Sequence, residues 1–164
     1  MRDFTKAKIL RCIAQDLDRR CIKAFDIRNE GDCYVVQCGY QDPPASMPVT
    51  LEYTTQDIET LDRAGKIKRG TPVPRQDFVT LVQVLRAVGS YVDKSKSLLL
   101  RVCNNLEPEP GQVSFLQVEY QTPNGAHVID RHDGTALHDL CVRSYKQRGR
   151  ISDRQQRSKL DVAS

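Results

Sequence analysis

The chain has 164 residues, enough for one domain or two small ones. Its hydrophobic share of 39% and charged share of 28% are ordinary for a soluble globular protein. The longest apolar runs, such as Leu98-Leu99-Leu100, are too short to cross a membrane. The amino-terminal residues form no apolar signal segment, so we expect a cytoplasmic protein whose six cysteines are reduced thiols.

The first part of the chain predicts a helix, three strands and a second helix. Apolar residues at helical spacing predict an amphipathic helix from about Thr5 to Arg20. Alternating residues then predict strands at Cys21–Arg28, Cys33–Gln41 and Val49–Tyr53. A short helix follows, capped by Thr54 or Thr55 and ending near Ala64.

The second part predicts the same order of elements after a joint at 66–75, which is rich in proline and glycine. The expected elements are a helix at Gln76–Asp93, strands at Lys96–Cys103, Val113–Gln121 and Ala126–Arg131, and a helix from Asp133 to about Arg148. Thr122-Pro123-Asn124-Gly125 is the clearest hairpin turn, because Asn-Gly favours positive φ at both central positions.

A repeated pattern predicts a tandem duplication. Three blocks match at shifts of 75, 80 and 79 residues, with matching hydrophobic periods and nine identical positions. The identities are Leu10/Leu85, Arg11/Arg86, Asp18/Asp93, Tyr40/Tyr120, Gln41/Gln121, Val49/Val128, Leu61/Leu140, Arg69/Arg148 and Gly70/Gly149. We therefore predict an α+β fold, a tandem α-β-β-β-α unit with antiparallel strands and helices packed on one face.

The predicted organisation has three parts. Residues 1–70 form the first copy, 76–149 the second copy, and 150–164 a basic, flexible carboxyl-terminal tail. A unit of this size has a thin core. The two copies should therefore form one compact body, but the pattern does not decide between one six-stranded sheet and two smaller ones.

The same α-β-β-β-α order occurs in double-stranded-RNA-binding domains, so the chain is similar to them in topology. Those domains carry a lysine-rich cluster at the start of the second helix. Here the corresponding residues are Thr54-Thr55-Gln56-Asp57 and Asp133-Gly134-Thr135-Ala136. The similarity therefore extends to the order of elements and does not imply the function.

The sequence offers little support for catalysis. The three histidines, His127, His132 and His138, do not have the spacing of a metal signature, and no phosphate-binding loop or nucleophile elbow is present. The segment Asp130-Arg131-His132-Asp133-Gly134 is rich in catalytic residue types, but a strand end and a helix cap explain it. We expect no cofactor, no metal and no enzyme activity.

The strongest indication of function is the basic end of the chain. Residues 141–159 hold seven basic side chains and one acidic one, a net charge of +6, whereas the whole chain has +4. A local basic segment after a helix is a common way to contact phosphates. The candidate nucleic-acid-binding residues are Arg143, Lys146, Arg148, Arg150, Arg154, Arg157 and Lys159.

These patterns favour a small non-catalytic cytosolic binding or regulatory protein whose partner is a protein or a nucleic acid. One alternative is a ligand-binding protein or enzyme with its site at the seam between the copies, flanked by Tyr40 and Tyr120. A further alternative is a structural homo-oligomer that pairs through exposed strand edges.

Overall fold

The computed structural model describes residues 4–39, 49–65, 80–104 and 116–146. Within them the helices are α1 (Lys6–Arg19), α2 (Thr55–Gly65), α3 (Leu81–Lys94) and α4 (134–146). The strands are β1 (Phe25–Asn29), β2 (Tyr34–Cys38), β3 (Val49–Tyr53), β4 (Leu98–Cys103), β5 (Leu116–Gln121) and β6 (His127–His132). We call α1, β1–β3 and α2 the first half, and α3, β4–β6 and α4 the second half.

All six strands join one antiparallel sheet in the order β3-β2-β1-β4-β5-β6. The first strand of each half lies at the centre, and each half extends outward from it. The predicted α+β class is confirmed, and the choice between one sheet and two is resolved in favour of one.

The helices cover one face of the sheet. Directly paired residues in antiparallel strands point to the same face, so Val36, Ile27, Val102 and Val118 form one buried row across four strands. These side chains belong to a single core cluster with residues of all four helices. The opposite face carries charged residues such as Arg28 and Arg101.

The closest contact between the halves is the crossing of α1 and α3. A Cβ atom placed on Gly89 would lie 2.5 Å from the backbone of Ala7, so only glycine permits this approach. The Asp93 carboxylate at the end of α3 accepts hydrogen bonds from the N–H groups of Lys6 (2.9 Å) and Ala7 (3.0 Å). One half thus caps the first helix of the other.

The central β1–β4 pair has a register that a two-fold axis would produce. Ile27 faces Val102, which is 75 positions later in the chain. The flanking pairs are Asp26 with Cys103 and Arg28 with Arg101. Arg101 lies 75 positions after Asp26, and Cys103 lies 75 positions after Arg28, so the same shift converts one pair into the other. Rotation about the Ile27–Val102 pair therefore superposes the two central strands.

Helix ends repeat at the same shifts. Thr5 caps α1 and Thr80 caps α3, 75 positions apart, while Thr54 and Asp133 accept bonds at the starts of α2 and α4, 79 apart. Of the two caps predicted for α2, Thr54 and Thr55, the structure shows Thr54, and Asp133 caps α4 as its sequence pattern indicates.

The first helix of each half ends in the same way. After α1, the N–H of Cys21 bonds to Asp18 and that of Ile22 to Leu17; after α3, Lys96 and Ser97 repeat these bonds to Asp93 and Val92. Cys21 (φ 58°) and Lys96 (φ 53°) have the left-handed conformation that usually belongs to glycine.

These left-handed residues explain why two strands begin later than predicted. Cys21 and Lys96 were expected to open strands, but they belong to the turns that end α1 and α3. β1 therefore begins at Phe25 and β4 at Leu98. These turns could not be predicted from the sequence, because neither contains the glycine that commonly marks a helix end.

The turn between β5 and β6 also differs from the prediction. Gly125 has positive φ (89°), but Asn124 does not, so the expected Asn-Gly geometry is wrong. Thr122 N–H bonds to the Ala126 carbonyl, and Gly125 N–H to that of Thr122, which leaves a three-residue loop. The fixed φ of Pro123 favours this loop, a turn followed by a left-handed glycine.

Strand pairing corrects one part of the predicted repeat. Val36 and Val118 both pair with the central row, so β2 and β5 correspond at a shift of 82. The predicted shift of 80 is wrong by two residues, and Cys38, rather than Tyr40, has the place in the first half that Tyr120 has in the second. The shift of 79 agrees with the pairing of Val36 with Leu51 and of Val118 with Asp130.

Replacing Gly89 with alanine should lower the free energy of unfolding by about 1–3 kcal/mol, because the added methyl group overpacks the α1–α3 crossing. Urea denaturation would measure it. Gly134→Ala is the matched control, since nothing lies within 4 Å of its Cβ position, and should change stability by less than about 0.5 kcal/mol. A stabilised Gly89→Ala variant, the usual result inside a helix, would contradict the packing described.

Candidate functional site

Two of the predicted nucleic-acid-binding residues lie on α4. Arg143 and Lys146 are both exposed, and their spacing of three residues places them on the same side of the helix. Another side of the helix is buried through Cys141 and Ser144. The other five candidates, Arg148, Arg150, Arg154, Arg157 and Lys159, lie outside the described residues, as does most of the predicted tail.

Arg143 lines a groove between α3 and α4, which we call the α3–α4 groove. Its volume is about 360 Å³, and Lys94 of α3 supplies a second positive charge. Ala87 and Leu140 provide apolar surface, and the remaining lining residues carry hydroxyl groups: Ser90, Tyr91, Ser95 and Ser144. None of these lining residues is acidic, and neither Lys94 nor Arg143 makes an ion pair within the described part of the chain.

Tyr120, one of the two residues predicted to flank a seam site, contacts Tyr91 of this groove. Its ring packs edge-to-face on Tyr91 at 5.9 Å, and the two hydroxyl oxygens are 3.3 Å apart. The Tyr120 hydroxyl also donates to Asp130 (2.8 Å). Burial, the hydroxyl of Tyr91 and the negative charge of Asp130 raise the pKa of Tyr120, which keeps it protonated and donating. Tyr40 lies outside the described residues.

The first half has a matching groove between α1 and α2, bordered by β3, with a volume of about 230 Å³. Its lining carries no excess of positive charge, because Asp16, Glu52 and Asp57 stand against Arg19 and Arg20. Asp16 is buried and forms ion pairs with Arg19 and with Arg20 (2.9 Å), and it accepts a hydrogen bond from Tyr53 (2.6 Å). Burial alone would raise the pKa of Asp16, but the hydrogen bonds from Tyr53, Arg20 and Arg19 outweigh it and lower the pKa below 3.8.

The shift of 75 residues relates the two grooves. Arg19 corresponds to Lys94, so a basic residue occupies the same place in both halves. Asp16 corresponds to Tyr91, so the carboxylate that neutralises the first groove is replaced by an aromatic ring in the second. The α3–α4 groove therefore keeps its positive charge available for an anion.

On the face of the sheet that the helices leave uncovered, acidic and basic side chains pair with one another. Arg101 binds Asp26 through two bonds of 2.8 Å and lies 3.6 Å from Glu119. Arg28 lies 3.3 Å from Asp26. Hydrogen bonds from Arg101 and Arg28 overcome the effect of burial and lower the pKa of Asp26. Because the acids and bases pair with one another, this face attracts phosphate groups weakly.

The described ranges contain six thiols and no cluster of side chains suited to a metal ion. No group of three His, Cys, Asp or Glu side chains there is arranged to hold a metal ion. All six cysteines are free thiols. Burial raises the pKa of Cys12, Cys38 and Cys103, so these thiols stay protonated at neutral pH and are poor nucleophiles.

Of the helices that the structure describes, none combines the length and apolar character needed to cross a membrane. Comparisons of the chain with protein-family models, with curated proteins and with solved structures found no match.

Replacing Asp16 with asparagine should lower the free energy of unfolding at neutral pH by about 1.5–3 kcal/mol, the usual contribution of hydrogen bonds to a charged group. Because folding lowers the pKa of Asp16, its contribution is present above pH 3.8 and is lost as the pH falls through the folded-state pKa. Urea denaturation between pH 2 and pH 7 would show a smaller loss of stability in acid for the variant. An unchanged acid dependence would contradict the role given to Asp16.

Proposed function

We propose that the protein is a small non-catalytic binding protein that contacts nucleic-acid phosphates through the α3–α4 groove and the basic residues that follow it. The observation that carries this proposal is the positive charge of Lys94 and Arg143, which form no ion pair and share their groove with no acidic residue among the residues that the structure describes. Lys146 extends the same exposed side of α4. The predicted residues Arg148, Arg150, Arg154, Arg157 and Lys159 would add further phosphate contacts.

We also propose that the chain arose by tandem duplication and that the second half acquired the binding role. The two-fold register of β1 with β4 and the repeated caps support this origin. So does the left-handed conformation of both Cys21 and Lys96. On this proposal the residues after 149 are the basic tail, and residues 1–70 and 76–149 are the two copies.

A cytosolic location is part of the same proposal. All six cysteines are free, and Cys12, Cys38, Cys103 and Cys141 are buried in the fold without a disulfide. Free buried thiols are typical of proteins from a reducing compartment.

Replacing both Arg143 and Lys146 with glutamine should weaken binding to short oligonucleotides and reduce its dependence on salt. If each residue contacts one phosphate of a single strand, the slope of log K against log salt should fall in magnitude by about 1.4. Fluorescence anisotropy with labelled RNA and DNA, at low and physiological salt, would measure it.

The matched control is Lys23→Gln with Arg63→Gln, which removes the same charge from exposed positions of the first half. It should leave the slope within experimental error of the unmodified protein. A second variant that ends at Gly149 measures the contribution of the tail. If the full chain binds no RNA or DNA at low salt, the proposed function is wrong.

A homo-oligomeric structural role is a second candidate. Within the described sheet β3 and β6 are the outer strands, and each exposes an apolar side chain, Val49 (49%) and Ile129 (53%). Such edges can pair with another chain. A monomer at high concentration in light scattering would argue against this role.

A further inference from the structure

We infer that the α3–α4 groove binds single-stranded nucleic acid and that Tyr91 forms the surface on which a base stacks. This inference rests on the proposed function and specifies the kind of nucleic acid. It begins from the pairing of an exposed aromatic side chain with two cations in one groove: Tyr91 is 40% exposed and lies between Ala87 and Lys94 on α3, opposite Arg143.

Proteins that bind single strands combine a basic groove along the backbone with aromatic rings that stack on bases. Every base has a flat aromatic face, so stacking on a tyrosine ring does not depend on the base sequence. Lys94 and Arg143 would hold phosphates on the two sides of the groove. The Ser90 hydroxyl, which accepts a hydrogen bond from Ser144, can donate one to a phosphate or sugar oxygen.

Tyr91 is held in place, which makes it suitable for stacking. Its edge-to-face contact with the Tyr120 ring, at 5.9 Å between centroids, restricts rotation of the ring, and the two hydroxyl oxygens lie 3.3 Å apart. Asp130 in turn accepts a hydrogen bond from Tyr120. A ring that is already ordered loses little conformational entropy on binding.

The shape of the groove favours a single strand over a duplex. A concave space of about 360 Å³ between two helices can receive a base or sugar that is turned out of its strand. In a duplex the bases are stacked and paired, so their faces cannot reach Tyr91 without the cost of unstacking. The duplex would meet the basic residues through its phosphates alone.

The test compares a labelled 12-nucleotide strand, the same strand with abasic positions, and a 12-base-pair duplex, all with the full-length protein. Loss of one base–aromatic stack corresponds to a weakening of about 5- to 150-fold. We expect the abasic strand to bind more weakly by this amount, although its phosphate charge is the same, and we expect the duplex to bind more weakly than the intact strand.

Tyr91→Leu should weaken binding of the intact strand by the same factor and leave its salt slope unchanged, because it removes a stack and no phosphate contact. Tyr91→Phe keeps the ring and should bind within about twofold of the unmodified protein, since stacking does not need the hydroxyl group. The abasic comparison uses the unmodified protein, so it decides the question even if Tyr91→Leu fails to fold.

Equal binding of the intact strand, the abasic strand and the duplex would overturn this inference and leave the proposed function standing. Absence of binding to all three would remove the proposed function together with the inference.

Discussion

The pairing of β1 with β4, together with the crossing of α1 over α3, is the constraint on which the rest of the structure depends. Each half alone would be three strands and two helices with an uncovered edge, too small for a substantial core. Joining the halves closes both central edges and buries α1 against α3. Gly89 allows α1 and α3 to approach closely, and the Asp93 carboxylate accepts hydrogen bonds from the first N–H groups of α1. These contacts fix the distance between the two helices and their relative orientation.

The two halves keep the same backbone design but distribute their charges differently. In the first half, Asp16 forms ion pairs with two arginines and accepts a hydrogen bond from Tyr53. Asp62 forms a further ion pair with Arg11. That arrangement favours stability, because its charges are paired. In the second, Tyr91 takes the place of the carboxylate, and Lys94 remains available. The proposed division into a structural half and a binding half rests on this difference in charge.

Local patterns predicted much of the fold. Helical spacing located α1 and α3, and Thr54 and Asp133 marked helix starts because cap chemistry is local. The ends of α1 and α3 were predicted to within one residue, but the starts of β1 and β4 were not, because Cys21 and Lys96 adopt a conformation usually marked by glycine. Asn29 and Asn104, 75 positions apart, both form hydrogen bonds across the β1–β4 junction, but the sequence did not reveal this because isolated asparagines resemble turn residues.

The candidate site was only partly predictable, because Arg143 stood out through local charge, whereas Lys94 and Tyr91 join it through tertiary packing alone.

The most direct test is NMR observation of backbone amides while a short single strand is added to the full-length protein. Binding in the second half should shift the amides of α3 and α4 around Tyr91, Lys94 and Arg143 and leave those of α1 and α2 nearly unchanged. Shifts confined to the sheet face around Arg28 and Arg101, or to the first half, would contradict the division of roles between the two grooves.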